Sequence, residues 1–206
     1  MVTLTAPINF QKQRLRPRIE ILGVFGSGKT TLAHELAPNE DSLLLENHEQ
    51  NIFWKIPDAS AVSGFLSYEL SFLIQHQYLA ASALKSTATD IAICDWSFES
   101  DRLWASMRLN KKEYAVYNST YRKLISRVNP PMIYLHLCFA PSTIYARQLE
   151  RNRVGEKFNM KEITKAANLL EKVALTLPKS KVIRVREQTD LATIKSAIDC
   201  HLRERK

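Results

Sequence analysis

Apolar residues along this chain gather in short, nearly unbroken runs at 19–24, 42–46, 91–95, 132–137 and 182–185. Between them lie longer stretches whose apolar positions recur at helical spacing: 31–36, 64–84, 101–108, 112–128, 142–151, 161–177 and 191–202. A strand buried on both faces reads as a continuous apolar run, and strand-helix alternation builds a parallel sheet with helices on both sides. The pattern predicts an α/β fold, a three-layer α/β/α sandwich around a parallel five-stranded sheet. Asn129-Pro130-Pro131 and Leu177-Pro178-Lys179 each end a helix ahead of a strand, because the residue before proline is pushed out of the helical region.

At 206 residues the chain can bury a full core without disulfide or metal staples. Residues 18–206 read as a single domain and 1–17 as a flexible basic arm, with Lys12, Arg14 and Arg16 and no acid. Cys94, Cys138 and Cys200 are odd in number and scattered, which predicts reduced core thiols in a cytoplasmic setting. With no Cys-x-x-Cys and no Cys/His cluster, a structural zinc is not expected. No run reaches the ~20 apolar residues that span a bilayer, so no membrane partner is expected. The net charge of +8 favours anionic partners, nucleotide polyphosphate or nucleic acid, without fixing the chemistry.

One segment changes the picture. Gly23-Val24-Phe25-Gly26-Ser27-Gly28-Lys29-Thr30 follows a predicted strand and opens a predicted helix. It matches the phosphate-binding pattern G-x-x-x-x-G-K-[ST] in the context that pattern requires. Glycines let the backbone curl so that amide N–H groups and the positive helix end converge on phosphate oxygens. Gly23, Gly26, Ser27, Gly28, Lys29, Thr30 and Thr31 are therefore the expected binding residues for ATP or another NTP. Lys29 reaches the terminal phosphates, and the Thr30 hydroxyl serves Mg²⁺.

Two acids close neighbouring strand-like runs. Asp95 ends Ile91-Ala92-Ile93-Cys94-Asp95 and is the candidate second group for Mg²⁺. Glu46 ends Leu43-Leu44-Leu45-Glu46, where an acceptor hydroxyl could give up its proton. Arg147 and Arg151 are i and i+4 on one helix whose start is assigned to Ser142, and Arg153 falls at its break near Asn152 and Gly155. Together they form a candidate lid at about 147–157 that screens charge in phosphoryl transfer.

These residues resemble the deoxyribonucleoside kinase family, most closely its bacterial deoxyadenosine/deoxyguanosine kinase branch, over about 18–186. The matching elements are Glu46 with Asn51, the stretch Asp95-Trp96-Ser97 running on to Ser100-Asp101-Arg102, the tyrosines Tyr114, Tyr117 and Tyr121, and the lid pattern Arg147, Arg151, Arg153, Glu156. The resemblance implies a nucleoside kinase fold of the P-loop NTPase type and transfer of the γ-phosphoryl of ATP to the 5′-hydroxyl of a nucleoside or deoxynucleoside. It implies Glu46 as the base that activates that hydroxyl. Glu69, His76, Asp101 and Arg102 are implied at the acceptor, and Trp54, Phe65, Tyr68 and Phe72 are aromatics able to line its pocket, although the last three also fall at core spacing. A homodimer is compatible with the likeness, and nucleic acid is not an expected partner.

The departures are as specific. Trp96 stands where the family has an arginine beside the transferred phosphate, so either Arg102 or a lid arginine substitutes or the chemistry is slower or altered. Glu69 replaces the family's base-reading glutamine, which points to a donor-rich edge such as guanine. His76 replaces an arginine that pairs with the acid at Asp101. Asp58 stands in the register of a sugar-holding tyrosine, and the segment around Lys165 lacks the family's sugar-binding glutamate. A monophosphate kinase of the thymidylate kinase type, and a nucleotide-binding regulatory or nucleic-acid-associated protein on the same scaffold, stay open as alternatives. No partner pattern is assigned to His34, His48, His136 or His201.

Overall fold

The computed structural model describes residues 16–55, 59–82, 91–152 and 159–203. Five strands, β1 (Arg18–Leu22), β2 (Leu43–Leu44), β3 (Ala92–Cys94), β4 (Ile133–Leu137) and β5 (Val182–Val185), form one sheet in the order β2-β3-β1-β4-β5. Every pairing is parallel. Eight α-helices occur among the described residues: α1 (Lys29–Leu36), α2 (Ile52–Lys55), α3 (Ala59–Ser82), α4 (Phe98–Arg108), α5 (Lys111–Ile125), α6 (Pro141–Arg151), α7 (Met160–Thr176) and α8 (Leu191–Arg203).

The pleat of β1 sorts the layers. Ile19 and Ile21 pack with Leu32 and Ala33 of α1 and Ile194 and Ile198 of α8 on one face. Leu22 packs on the other face with Trp104 of α4 and Ile163, Ala166 and Leu170 of α7. Cys94 and Trp96 join α3, α4 and α5 through Leu73, Ala105, Tyr117 and Tyr121. These are the three layers that the apolar pattern predicts. Burying a Leu or Ile side chain contributes about 1.5–3 kcal/mol, so the alternation along β1 sets which helices can dock on which face.

A polar pair lies inside this core. Arg18 and Glu20 share a face of β1, 2.7 Å apart and almost wholly buried. Arg18 also donates to the Asn129 carbonyl, and the Phe98 N–H donates to Glu20. Burial pushes the Glu20 carboxyl above its usual range, against the pull of Arg18. Removing one partner of such a pair costs about 3–5 kcal/mol because the other charge is left buried and unmatched.

Helix ends follow local chemistry. Ser97 caps α4 by accepting from the Ser100 N–H. Reciprocal bonds between Asn110 and Glu113 open α5, and the same arrangement of Asn159 and Glu162 opens α7. The start expected at Ser142 is corrected: α6 begins at Pro141 with Ala140 as cap, since proline at the first helical position lacks the N–H that would need a partner. α3 is interrupted at Gly64, whose φ of 75° lies outside the helical region.

Three further expectations change. Arg16, assigned to the arm, is buried and donates to the Asp41 carbonyl at 2.6 Å and to Ser42 Oγ at 3.2 Å, so it belongs to the packed fold. Residues 1–15 lie outside the described residues. Only Cys94 is a core thiol, whereas Cys138 is half-buried and Cys200 exposed. The expectation of no Cys/His cluster also fails, because β4 carries His136 and Cys138 to Glu171 of α7, with one ligand atom from each within 4.8 Å of the others. Arg184 makes a two-point ion pair with Glu171 there, at 3.0 and 2.7 Å. A guanidinium already balances that carboxylate.

Candidate active site

The loop from β1 to α1 has the shape that anion binding needs. Gly26 and Gly28 sit at φ of 85° and 90°, in the left-handed region where a side chain is strained. Lys29 folds back and donates to the carbonyls of Gly23 and Val24 at 3.1 and 3.3 Å. Ser27 Oγ is buried with no hydrogen-bond partner. A buried hydroxyl left unsatisfied carries a desolvation cost, and this one lies 2.4 Å from where a Cβ on Gly23 would stand.

Asp95 joins the parts. One carboxylate oxygen accepts from the Thr30 hydroxyl at 2.7 Å, and the other accepts from the Glu46 backbone N–H at 2.7 Å. Residues 30, 46 and 95 are thereby fixed to one another across β1, β3 and β2. The Thr30 hydroxyl and the Asp95 carboxylate are hard oxygen donors, the set that Mg²⁺ takes with its remaining waters, so the residues present fit that ion.

Two clefts meet here. The first is lined by Phe25, Gly26, Gly28, Lys29, Thr30 and Thr31 with Glu46, Trp54, Asp95 and Arg151. The second holds Tyr68, Glu69, Phe72, Trp96, Asp101, Trp104 and Arg108. Phe25, Lys29 and Glu46 belong to both. Burial raises the Glu46 carboxyl above its usual range; His76 and Lys29 oppose the shift, and Asp101 and Asp95 add to it. A carboxylate with raised proton affinity between two clefts is suited to taking a proton.

His76 Nδ1 lies 2.8 Å from Asp101 Oδ2, and both are buried. The imidazole stacks on the Trp96 indole with ring centroids 4.3 Å apart and planes 2° from parallel. Burial opposes charge on His76, but Asp101 and the more distant Glu46 and Asp95 outweigh it and leave the pKa raised. Trp96 thus forms a flat apolar wall where a cation was expected.

Other expected residues are placed differently. Arg102 turns to Glu99 at 2.6 Å and lies over Tyr121, and it lines neither cleft. It does not stand in for the missing arginine. Trp54 lines the loop-side cleft edge-on to His48, not the cleft with Glu69. Phe65 is exposed, while Tyr68 and Phe72 line the second cleft. His48, to which no partner was assigned, lines the loop-side cleft.

On α6, Arg147 donates to the Ser27 carbonyl at 3.3 Å and lies over Phe139, and Arg151 reaches the loop-side cleft. Arg153, Glu156 and the rest of 153–158 lie outside the described residues, as does Asp58.

The sequence reading passed over Arg108 and Gln148. Arg108 Nη1 donates to Glu69 at 2.7 Å, and its guanidinium lies over the rings of Trp104 and Tyr68. The four-residue spacing from Trp104 to Arg108 would have signalled it, because i and i+4 share a helix face. Gln148 donates to the Phe25 carbonyl at 2.5 Å, and its side chain fills the space a Cβ on Gly26 would need. It lies one residue beyond Arg147, inside a lid pattern that draws attention only to arginines.

The same arrangement of layers occurs in solved structures. A deoxyadenosine kinase from M. mycoides, with the products dCMP and a flexible dCDP bound, superposes with a TM-score of 0.74 at 16% identity. It is covered over 91% of this chain and 99% of that one. The same kinase with bound dCTP gives 0.66 at 17% identity, with the same coverage. This chain has the fold of a deoxynucleoside kinase. The NadR protein in complex with NR also matches, with a TM-score of 0.69 at 16% identity, over 94% of this chain and 52% of that one. No family model and no curated protein matches the sequence.

Proposed function

We propose that this protein transfers the γ-phosphoryl group of ATP, or another NTP, to a hydroxyl of a nucleoside-like acceptor, the 5′-hydroxyl of a nucleoside or deoxynucleoside. The observation that carries the reading is the sharing of Lys29 and Glu46 between the phosphate-loop cleft and the aromatic cleft. Donor phosphates on one side and an acceptor hydroxyl on the other would meet at these two residues. The bound dATP, dCTP and dCMP of the structurally similar kinases support it, as does the phosphate-binding sequence itself.

In this mechanism the loop amides and Lys29 bind the β- and γ-phosphates, and Glu46 accepts the proton of the attacking hydroxyl. The hydroxyl oxygen forms a bond to the γ-phosphorus as the bond to the β–γ bridging oxygen breaks, leaving ADP. Arg151, which reaches the loop-side cleft, would face the charge that builds on the transferred group, while Arg147 steadies the loop through the Ser27 carbonyl. Thr30 and Asp95 would hold Mg²⁺, which when bound neutralises the phosphate oxygens. Asp95 also keeps Glu46 in place through its backbone N–H.

The test is transfer of label from [γ-³²P]ATP to a panel of nucleosides and their monophosphates, with K29A in parallel. Transfer to a nucleoside that K29A abolishes is expected. Labelling of monophosphates alone would move the reading to a monophosphate kinase. Binding of ATP with no transfer to any acceptor would refute it.

A further inference from the structure

The aromatic cleft carries an ion pair that the phosphate chemistry does not use. Glu69 of α3 is 4% exposed and accepts from Arg108 of α4 through one oxygen, Oε1, at 2.7 Å. Its second oxygen has no hydrogen bond among the described residues, and Arg108 gives Glu69 only one of its five N–H groups. The guanidinium sits 5.2 Å from the Trp104 ring centre and 5.4 Å from that of Tyr68, which fixes its plane. Both residues line the second cleft and neither lines the loop-side one.

Alone, a buried carboxylate would favour an edge made only of donors. Beside Arg108 it does not stand alone: the pair offers an accepting oxygen next to donating N–H groups. Neither single charge is exposed uncompensated, so an anion or a cation at this end would face the wrong half of the pair. Trp104 and Phe72 supply apolar surface beside it.

We infer that Glu69 and Arg108 together read the acceptor's base, selecting a planar heterocycle whose edge carries an exocyclic amino donor next to a ring-nitrogen acceptor, with Arg108 giving its hydrogen bond to that ring nitrogen. The inference rests on the nucleoside kinase reading. It assigns Arg108 as a specificity-determining residue and replaces the donor-rich edge expected from Glu69 alone.

The experiment compares deoxyadenosine with its 1-deaza analogue and deoxycytidine with its 3-deaza analogue. Each analogue lacks only the ring acceptor. The wild type should prefer the parent of the pair it uses by about 10- to 100-fold in kcat/KM, the range for leaving a buried polar group unmatched. R108M should be poor on both members and prefer neither. Because R108M leaves Glu69 buried without its partner, the double variant E69Q/R108M removes both charges and should show the same lost preference.

Unchanged ATP binding in each variant verifies the fold. A wild type that treats parent and analogue alike, or an R108M or E69Q/R108M enzyme that keeps the preference, would overturn the inference while leaving the kinase reading intact. If only monophosphates accept phosphate, the nucleoside reading fails by itself and the same deaza comparison is run on monophosphates, with the same two outcomes for Arg108.

Discussion

At Glu46 burial works against stability. Burial raises its pKa from the usual 4.5, so the folded state holds the proton more tightly than the unfolded chain. The stability linked to this group is present below the unfolded pKa and is lost as pH rises through the folded one. E46Q should therefore melt a few degrees higher than wild type near neutral pH, with the gap closing toward pH 4, as calorimetry would read. Its transfer rate should fall by about 10²–10⁴-fold if Glu46 is the general base. In the wild type the acid limb of kcat against pH should lie above the ordinary glutamate range. Equal melting of E46Q and wild type at all pH values would remove the burial argument. Among the site residues, Lys29, Thr30, Glu46 and Asp95 were legible in the sequence because a motif or a strand end marks each; the spacing from Trp104 could mark Arg108, but not its pairing with Glu69, which is 39 positions away.

Between elements, the contact that matters is α6 against the phosphate loop. Gln148 and Arg147 bind loop carbonyls from the outside, which helps aim the amide N–H groups inward. Q148A should raise KM for ATP several-fold and change kcat little, since the contact is the same before and during transfer. A kcat loss with unchanged KM would place Gln148 in the chemistry instead. Between α4 and α5, Asn110 closes the first turn of α5. N110A should lower unfolding free energy by about 1 kcal/mol in urea titration and leave both kinetic constants alone. Apart from α2, for which no helix was expected, helix positions followed from periodicity, but their ends did not: α4 starts at Phe98, not at 101, because Ser97 supplies the cap.

For the whole molecule, binding and folding are linked. A ligand present at a hundred times its Kd stabilises the fold by about 2.7 kcal/mol, which for a chain of this size raises Tm by roughly 5–10 °C. Mg·ATP should produce a shift on this order in wild type and none in K29A; an equal shift in both would mean that the nucleotide binds elsewhere. What the sequence determined by itself was local: the run lengths that make strands and helices, the glycine loop, and the acids at strand ends. Those signals lie within a few residues of one another, and local sterics and hydrogen bonding fix them. The tertiary structure decided what meets what. It put Trp96 flat against His76 and brought Arg108 to Glu69. These outcomes depend on how α3 and α4 dock on the sheet, where side chains far apart in the chain compete for the same space and the same charge, and spacing along the chain carries no record of that competition.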